Sequence, residues 1–236
     1  MGDILTGDQN VDTAWIGGTP HERRYSMRIR PGTSDANTVM ACAWGNDEYH
    51  LPTGLTGWAL DIGAHIGACT IPLLLDNPDL RVIAVEALPE NVLLLNENAL
   101  RNGVADRLTI VHGAASDTHD EVLMRYGNDT THEYIGGAVD KDGTPGDLRP
   151  AIRLKGITLG AMAALRPDPT EPFVWCKIDA EGAEYQTFRS SHLRLLEHIE
   201  GEVHFGWQRL VDLLDATHIV TGPGQDFGPF QAVLRS

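Results

Sequence analysis

The sequence predicts an α/β fold: a Rossmann-like, doubly wound and mostly parallel sheet closed by a C-terminal antiparallel strand pair. Short apolar runs that end in an acidic residue recur along the chain, at 58–61, 81–86 and 173–179. Segments suited to helices follow the first two runs, and strands that alternate with helices over short links favour a parallel sheet. Two further apolar runs, 218–221 and 230–234, flank a turn rich in Gly and Pro and can form the closing pair. Such a sheet binds ligands at the carboxyl ends of its strands.

Composition and charge narrow the class of protein. A length of 236 residues suits one large domain or a domain with a small appendage. The net charge of −15 argues against a broad nucleic-acid-binding surface, which needs clustered Lys and Arg. Cys42, Cys69 and Cys176 are widely spaced among apolar residues, which indicates buried free thiols in a reducing compartment. No apolar run is long enough to cross a membrane, and residues 1–10 are unlike a signal peptide. We therefore expect a cytoplasmic protein with neither nucleic acid nor a membrane as partner.

Residues 1–55 are expected to form an N-terminal cap or hairpin extension, and residues 56–236 the main domain. Within the extension, 38–44 and 47–51 have the composition of short strands. The extension either covers the ligand pocket or only completes the edge of the sheet, and the sequence does not decide between these alternatives.

The stretch 58–70 has the pattern of a buried strand, a tight glycine turn and a helix. Gly63 and Gly67 would let a ligand approach the backbone closely, because glycine has no Cβ. A dinucleotide-binding turn would carry a third glycine at the position of Asp61. A carboxylate there repels a pyrophosphate but tolerates a cationic amino acid or a sulfonium. Pro72 predicts that the helix starts late or bends.

Glu86 ends the next predicted strand, 81–86. A strand-end acid about twenty residues after a glycine turn suits a ribose, whose hydroxyl groups need an acceptor. A helix opened by Pro89 and a third strand, 107–111, follow. The loop after that strand therefore lies at the same edge of the sheet.

Residues 127–150 are rich in Gly, Asp, Thr and Pro and break the alternation of strands and helices. A structureless stretch of this length inside a compact domain is usually functional or disordered. We expect a mobile substrate lid in which His132, Glu133 and Tyr134 contact the substrate. The alternative is an excursion of the chain over the surface.

Acidic residues follow the third apolar run. Asp179 and Glu181 lie where substrate chemistry would occur, and either could accept a proton from a hydroxyl group. Asp179 could equally cap the helix expected to follow at 182–190, since Asp is a preferred N-cap residue. On the next predicted strand, 201–205, Glu202 and His204 occupy alternate positions and so face the same side. His204 is a candidate base because the unperturbed pKa of histidine lies near neutrality, although a structural hydrogen bond is the commoner role for a lone histidine.

Three segments together resemble the FkbM-type family of class I S-adenosylmethionine-dependent methyltransferases: ALDIGAHIGACT, VIAVEALPENVLLLNENALRNG and KIDAEGAEYQTF. The family combines a D-x-G-A-x-x-G turn, a V-x-x-x-E-x-x-P-x-N segment and a K-I-D-x-E-G-x-E motif, of which the third is the most discriminating. The resemblance covers residues 47–205. The chain departs from it at His65, where the family usually has Asn, and in the insertion at 127–150.

The resemblance implies a class I fold, S-adenosylmethionine as methyl donor with S-adenosylhomocysteine as product, and O-methylation of a hydroxyl on a sugar or secondary metabolite. The glycine turn would hold the amino acid end of the donor, Glu86 its ribose, and the loop 113–116 would flank its adenine. The donor-binding residues expected are Asp61, Gly63, Ala64, Gly67, Glu86, Ala114, Ala115 and Asp117.

The residue expected to remove the acceptor's proton is Asp179, followed in order of preference by His204 and Glu181. No metal site is predicted, and metal assistance by these three side chains is the weaker alternative. The expected partner is a small hydroxylated acceptor. The oligomeric state stays open, with a homodimer as one option.

Two other function classes remain open on the sequence. One is a nucleoside-binding module that keeps the fold and the pocket but has lost catalysis, and it would bind the donor without turnover. The other is a dehydrogenase with an unusual turn. The carboxylate of Asp61 disfavours the dehydrogenase, because it occupies the place of a glycine that a pyrophosphate site needs.

Overall fold

The computed structural model describes residues 3–5, 14–42, 47–125, 151–180, 182–204 and 206–236. The predicted lid at 127–150, with its three candidate side chains, and the candidate base Glu181 lie outside the described residues. The strands are β1 (Asp3–Leu5), β2 (Ala14–Gly18), β3 (Arg24–Arg28), β4 (Gly57–Ile62), β5 (Leu80–Glu86), β6 (Leu108–His112), β7 (Ala114–Ala115), β8 (Glu121–Arg125), β9 (Ala151–Ile157), β10 (Phe173–Ile178), β11 (His198–His204), β12 (His218–Thr221) and β13 (Phe227–Leu234). The helices are α1 (Asp35–Ala41), α2 (Thr70–Asp76), α3 (Pro89–Arg101), α4 (Leu159–Ala163), α5 (Glu184–Thr187) and α6 (Trp207–Leu214).

Seven of the described strands form the central sheet, in the order β12-β13-β11-β10-β4-β5-β6. β11, β10, β4, β5 and β6 run parallel to one another. β13 is antiparallel to both of its neighbours, β11 and β12. The prediction of a mostly parallel sheet closed by a C-terminal antiparallel pair is confirmed.

Both faces of the central sheet are buried. Successive residues of a strand point to opposite faces, so Ala59 and Val82 pack with α1, α2 and α3. Leu60 and Ile83 pack on the other face with α4, α5 and α6. Two-sided burial explains why these strands are continuous apolar runs rather than alternating ones. The polar residues at the strand ends are consequently left at the carboxyl edge of the sheet.

After β6 the chain enters a smaller sheet with the order β7-β9-β8. The N–H of Gly113 donates to the carbonyl of Glu86 at 3.0 Å. Ala114 and Ala115 then pair in parallel with β9, and the N–H of Ser116 donates to the carbonyl of Ile157 at 3.1 Å. These bonds fix the backbone of 113–116 beside the end of β5.

The N-terminal strands form an antiparallel sheet, β1-β2-β3, in which β2 and β3 pair as a hairpin. Tyr25 and Met27 of β3 are buried in the same core as α3. The side-chain amides of Asn98 and Asn102 bond to the backbone of β3 at 2.6 to 3.2 Å. These amides satisfy backbone groups of β3 that would otherwise need a neighbouring strand. The division of the chain into 1–55 and 56–236 stays a prediction.

The prediction of a strand at 38–44 is wrong, because 38–41 belong to α1. The β-branched residues in this stretch favour a strand locally. The helix forms instead because its Val39 packs into the core against α2 and α3. The hydroxyl of Thr33 also accepts a hydrogen bond from the N–H of Asp35 at 3.1 Å, which supports the helix start.

The prediction of a strand at 47–51 is also wrong, since these residues form a turn. The carboxylate of Asp47 accepts a hydrogen bond from the N–H of Leu51 at 2.7 Å, and φ is positive at Asp47 and His50. Asp commonly stabilises turns in this way. α5 is shorter than the helix expected at 182–190.

The late helix start predicted from Pro72 is confirmed, because α2 begins only at Thr70. β11 begins at His198, three residues before the expected strand at 201. The extension follows from pairing with β13, whose Val233 lies opposite His198.

Replacing Gly63 with alanine is expected to lower the unfolding free energy by about 3 kcal/mol or more. Its φ is +78°, and an added Cβ would lie 1.9 Å from the carbonyl oxygen of Asp179, so the end of β10 would have to move. Gly54→Ala is the matched control, with a φ of +75° and no atom within 4 Å of the added Cβ. It should cost only the backbone strain of about 1–2 kcal/mol. Urea unfolding measures both variants, and equal losses would contradict the close approach.

Candidate active site

A cavity of about 400 Å³ opens at the carboxyl ends of β4, β5 and β10. The N-terminal segment, the glycine turn, the link from β5 to α3, and the ends of β10 and β11 all contribute to its wall. A cavity of this size suits a small-molecule ligand. Its titratable and polar side chains include Arg30, Glu48, Tyr49, His65, Glu86, Asn91, Lys177, Asp179 and Glu202.

The glycine turn forms one side of the cavity. The N–H groups of Gly63 and Ala64 donate to the carbonyl of Val85 at 3.0 and 3.1 Å, which anchors the turn to β5. Both residues line the cavity. Gly67 is not among the described lining residues, and an added Cβ there would lie 2.8 Å from Cδ1 of Leu95. Gly67 therefore lets α3 pack against the turn, whereas Gly63 and Ala64 face the ligand space.

Asp61 lies beneath the turn rather than in the described cavity wall, and it is fully buried. Its Oδ2 accepts a hydrogen bond from the hydroxyl of Thr70 at 2.5 Å, and its Oδ1 is 3.6 Å from Nζ of Lys177. The same Nζ donates to the carbonyl of Gly63 at 2.7 Å and lies 3.9 Å from Oδ2 of Asp179. This placement gives Asp61 a role in ordering the turn through Lys177, which differs from the direct donor contact expected of it.

Lys177 is a buried cation, with 5% of its side chain exposed. Burial by itself lowers the pKa of an ammonium group, but the carboxylates of Asp61 and Asp179 outweigh it and raise the pKa of Lys177. The side chain therefore stays charged at neutral pH. None of the sequence motifs predicted a role for Lys177. A signal was present, because it is the one charged residue in the apolar run of β10, and a buried lysine needs partners.

Glu86 is buried at the end of β5 and lines the cavity. Its Oε1 accepts hydrogen bonds from the N–H of Leu88 at 2.9 Å and from Nδ2 of Asn91 at 3.2 Å. Its Oε2 accepts from the N–H of His65 at 2.7 Å. A carboxylate has about four acceptor positions, so Glu86 can still accept from a ligand hydroxyl group.

The segment after β6 contributes small residues to the cavity wall. Gly113, Ala114 and Ala115 line it. Asp117 is not among the described lining residues, and its carboxylate pairs with the guanidinium of Arg189 at 3.3 Å. The structure therefore brings the two alanines to the cavity but leaves Asp117 outside it.

Asp179 and His204 come together at the opposite end of the cavity from Glu86. Nε2 of His204 lies 3.8 Å from Oδ1 of Asp179 and 3.7 Å from Oε2 of Glu202. Nδ1 of His204 lies 3.3 Å from Oε1 of the fully buried Glu184. In the tautomer that carries its proton on Nδ1, His204 donates to Glu184 and turns Nε2 toward Asp179 and Glu202. Asp179 and Glu202 line the cavity, whereas the buried His204 lies behind them.

Tyr49 from the N-terminal segment orients Asp179, donating its hydroxyl to Oδ2 at 2.9 Å. Burial and the charge of Asp179 raise the pKa of Tyr49, which keeps the phenol protonated as a donor. This contact is not predictable from the sequence, because the two residues are 130 positions apart and no local pattern links them. The alternative that Asp179 caps the following helix is wrong: the N-cap of α5 is Ala183, with no side-chain cap bond.

Further carboxyl groups surround the end of the cavity that Asp179 lines. Burial, followed by the charge of Asp179, raises the pKa of both Glu48 and Glu202. Asp179, Glu184 and His204 each offer a ligand atom within 4.8 Å of the others. Oxygen and imidazole ligands at this spacing could also hold a divalent cation. The arrangement can accept and relay a proton, and it disfavours an anionic ligand.

Lys177→Met is expected to lower the unfolding free energy by about 3–5 kcal/mol, because it leaves Asp61 buried without its cation. Lys155→Met removes an exposed lysine and is the control, with an expected change within about 0.5 kcal/mol. The double variant Lys177→Met/Asp61→Asn should recover part of the loss. Chemical denaturation at pH 7 measures all three. Equal losses for the two single lysine variants would contradict the buried pair.

Several solved structures are partly similar to this chain. The precorrin-6y C5,15-methyltransferase of Geobacter metallireducens is 16% identical, with a TM-score of 0.46 over 85% of this chain and 87% of that chain. An O-methyltransferase of Bacillus cereus, in complex with S-adenosylhomocysteine, is 16% identical, with a TM-score of 0.41 over 75% and 74%. TrmK of M. capricolum, also with S-adenosylhomocysteine, is 8% identical, with a TM-score of 0.49 over 80% and 67%. No curated protein sequence matches the chain.

No helix in the described parts of the chain combines the length and the apolar character that a membrane span requires. A family model described as the methyltransferase FkbM domain matches residues 61–220, well over half of the 236 residues. The match begins at Asp61 and spans the glycine turn, Glu86, Asp179 and His204. The protein thus belongs to the FkbM methyltransferase domain family and carries the class I methyltransferase fold.

Proposed function

We propose that this protein is an S-adenosylmethionine-dependent O-methyltransferase that acts on a hydroxyl group of a small molecule, such as a sugar or a secondary metabolite. One observation carries the proposal: the cavity has Glu86 at its β5 end and Asp179 at its β10 end, with the glycine turn between them and His204 behind Asp179. The first end suits a nucleoside with an amino acid tail, and the second suits removal of a proton.

The residues on the donor side fit S-adenosylmethionine. Gly63 and Ala64 would hold its amino acid end, and Glu86 has an acceptor position left for a ribose hydroxyl. Ala114 and Ala115 offer a wall without bulky side chains for the adenine. The cavity volume of about 400 Å³ is in the range of small-molecule sites.

S-adenosylmethionine, when bound, supplies a methyl group activated by its positively charged sulfur. The protein has to position the acceptor oxygen and take its proton. Asp179 is the best-placed proton acceptor, because it lines the cavity and its Oδ2 is held by Tyr49. His204 lies behind it and can receive the proton at Nε2, while Glu184 fixes the ring through Nδ1.

The charges around the acceptor end support a neutral or cationic acceptor. Glu48, Asp179 and Glu202 all line the cavity there, and their carboxyl groups would repel a phosphate or a nucleic acid backbone. The proposal also gives the N-terminal segment, within 1–55, the role of a cap, since Glu48 and Tyr49 lie at this end.

Asp179→Asn and His204→Gln are expected to lower kcat by about a hundredfold or more while changing the affinity for S-adenosylhomocysteine by less than about twofold. The assay measures methyl transfer from radiolabelled donor to a panel of monosaccharides, phenols and hydroxy acids. Asp117→Asn is the control, because Asp117 pairs with Arg189 outside the cavity wall. It should keep both activity and affinity.

Three outcomes separate the alternatives. Transfer to an oxygen that depends on Asp179 supports the proposal. A product methylated on nitrogen or carbon overturns the O-methyltransferase assignment. Donor binding without turnover on any acceptor, in wild type as in the variants, favours the inactive nucleoside-binding module.

A further inference from the structure

We infer that the N-terminal segment completes the donor site, with Arg30 as a positioning residue that holds the ribose acid Glu86 in place through Asn91. The inference rests on the proposed function, since that function assigns the ribose to Glu86. Arg30 lies outside residues 61–220, the part of the chain that the family model matches. The role is therefore assigned from the contacts of this chain alone.

Arg30 is anchored by the fully buried Asp35 at the start of α1. Its Nε and Nη2 donate to the two carboxylate oxygens of Asp35 at 2.9 and 2.8 Å, and its backbone N–H donates to Oδ2 at 2.8 Å. Burial alone would raise the pKa of Asp35, but hydrogen bonds from His65 and Arg30 hold it well below its ordinary value. Asp35 stays ionised, and the planar guanidinium is fixed as a fork.

From this anchor, Arg30 reaches the donor side. Its Nη2 also donates to Oδ1 of Asn91 at 2.7 Å, and Nδ2 of Asn91 donates to Oε1 of Glu86 at 3.2 Å. Asn91 thus connects the guanidinium of Arg30 to the carboxylate of Glu86, and the position of the first helps to fix the position of the second. Arg30, Asn91 and Glu86 all line the same cavity.

His65, in the glycine turn, makes a second connection between Glu86 and Asp35 and so completes a ring of contacts. Its N–H donates to Oε2 of Glu86 at 2.7 Å, and its Nε2 lies 3.3 Å from Oδ1 of Asp35. The residue adopts a φ of +52°, which is uncommon outside glycine. Each oxygen of Glu86 is therefore tied to Asp35, one through His65 and the other through Asn91 and Arg30.

The ring explains how a residue from the cap can set donor affinity. Without Arg30, the side chain of Asn91 loses the partner of its oxygen and can rotate, so that Glu86 keeps only the backbone N–H groups of Leu88 and His65 as partners. Orienting Glu86 then costs part of the binding energy of the ribose. The effect passes through Glu86, so it should vanish when Glu86 can no longer act.

Calorimetric titration of the full chain with S-adenosylhomocysteine tests the inference. Arg30→Ala should weaken binding by about tenfold. Arg30→Lys should recover only part of the affinity, because an ammonium group cannot make the paired hydrogen bonds of a planar guanidinium. Arg28→Ala is the matched control: it removes an arginine two residues earlier, whose guanidinium pairs with Glu97 at the outer side of α3. Its affinity should equal that of the wild type.

A double-mutant cycle separates positioning from a general structural role. In a Glu86→Ala background, which removes the acceptor altogether, adding Arg30→Ala should weaken binding by less than about twofold. A tenfold loss in both backgrounds would overturn the inference, as would wild-type affinity in Arg30→Ala. If Arg30→Ala does not fold, Asn91→Leu breaks the same relay and leaves the Arg30–Asp35 pair intact. Wild-type protein that binds no S-adenosylhomocysteine would instead refute the proposed function.

Discussion

The buried ammonium group of Lys177 is the interaction on which both ends of the cavity depend. It donates to the carbonyl of Gly63 and lies between the carboxylates of Asp61 and Asp179. A lysine removed from water needs such partners, because an unpaired buried charge costs several kcal/mol. The partners belong to β4, the glycine turn and the end of β10, so one cation fixes the turn relative to the candidate base.

The two ends of the cavity differ in what their side chains do: one end places a ligand, and the other exchanges protons. The donor end is held rigid by a closed ring of hydrogen bonds. In this ring, Glu86 accepts from the N–H of His65 and from the side-chain amide of Asn91. Rigid placement favours binding, because less freedom is lost when the ligand arrives. The acceptor end instead gathers carboxyl groups around His204, where protons can be exchanged. Tyr49 and Lys177 keep Asp179 oriented without removing it from the cavity wall.

Much of this arrangement could be predicted from the sequence where chemistry and local pattern coincide. Glu86 and Asp179 each end an apolar run, and parallel strands bring such ends to one edge. Asp61 has the same pattern, yet its side chain turns beneath the sheet edge toward Lys177, which periodicity does not reveal. The sequence predicts a strand over part of α1, because β-branched residues favour strands locally. The helix forms because Val39 packs into the core from it. The contacts of Arg30 and Tyr49 span 61 and 130 positions, so only the folded chain discloses them.

Thermal and chemical unfolding with and without S-adenosylhomocysteine tests the central claim, that this cavity is a donor site, most directly. A ligand that binds only the folded chain adds about 2.7 kcal/mol of stability at a hundredfold excess over its dissociation constant. The donor site predicts a clear rise in the melting temperature with S-adenosylhomocysteine and none with NADH. The absence of a shift at millimolar S-adenosylhomocysteine, in protein that unfolds cooperatively, would contradict the claim.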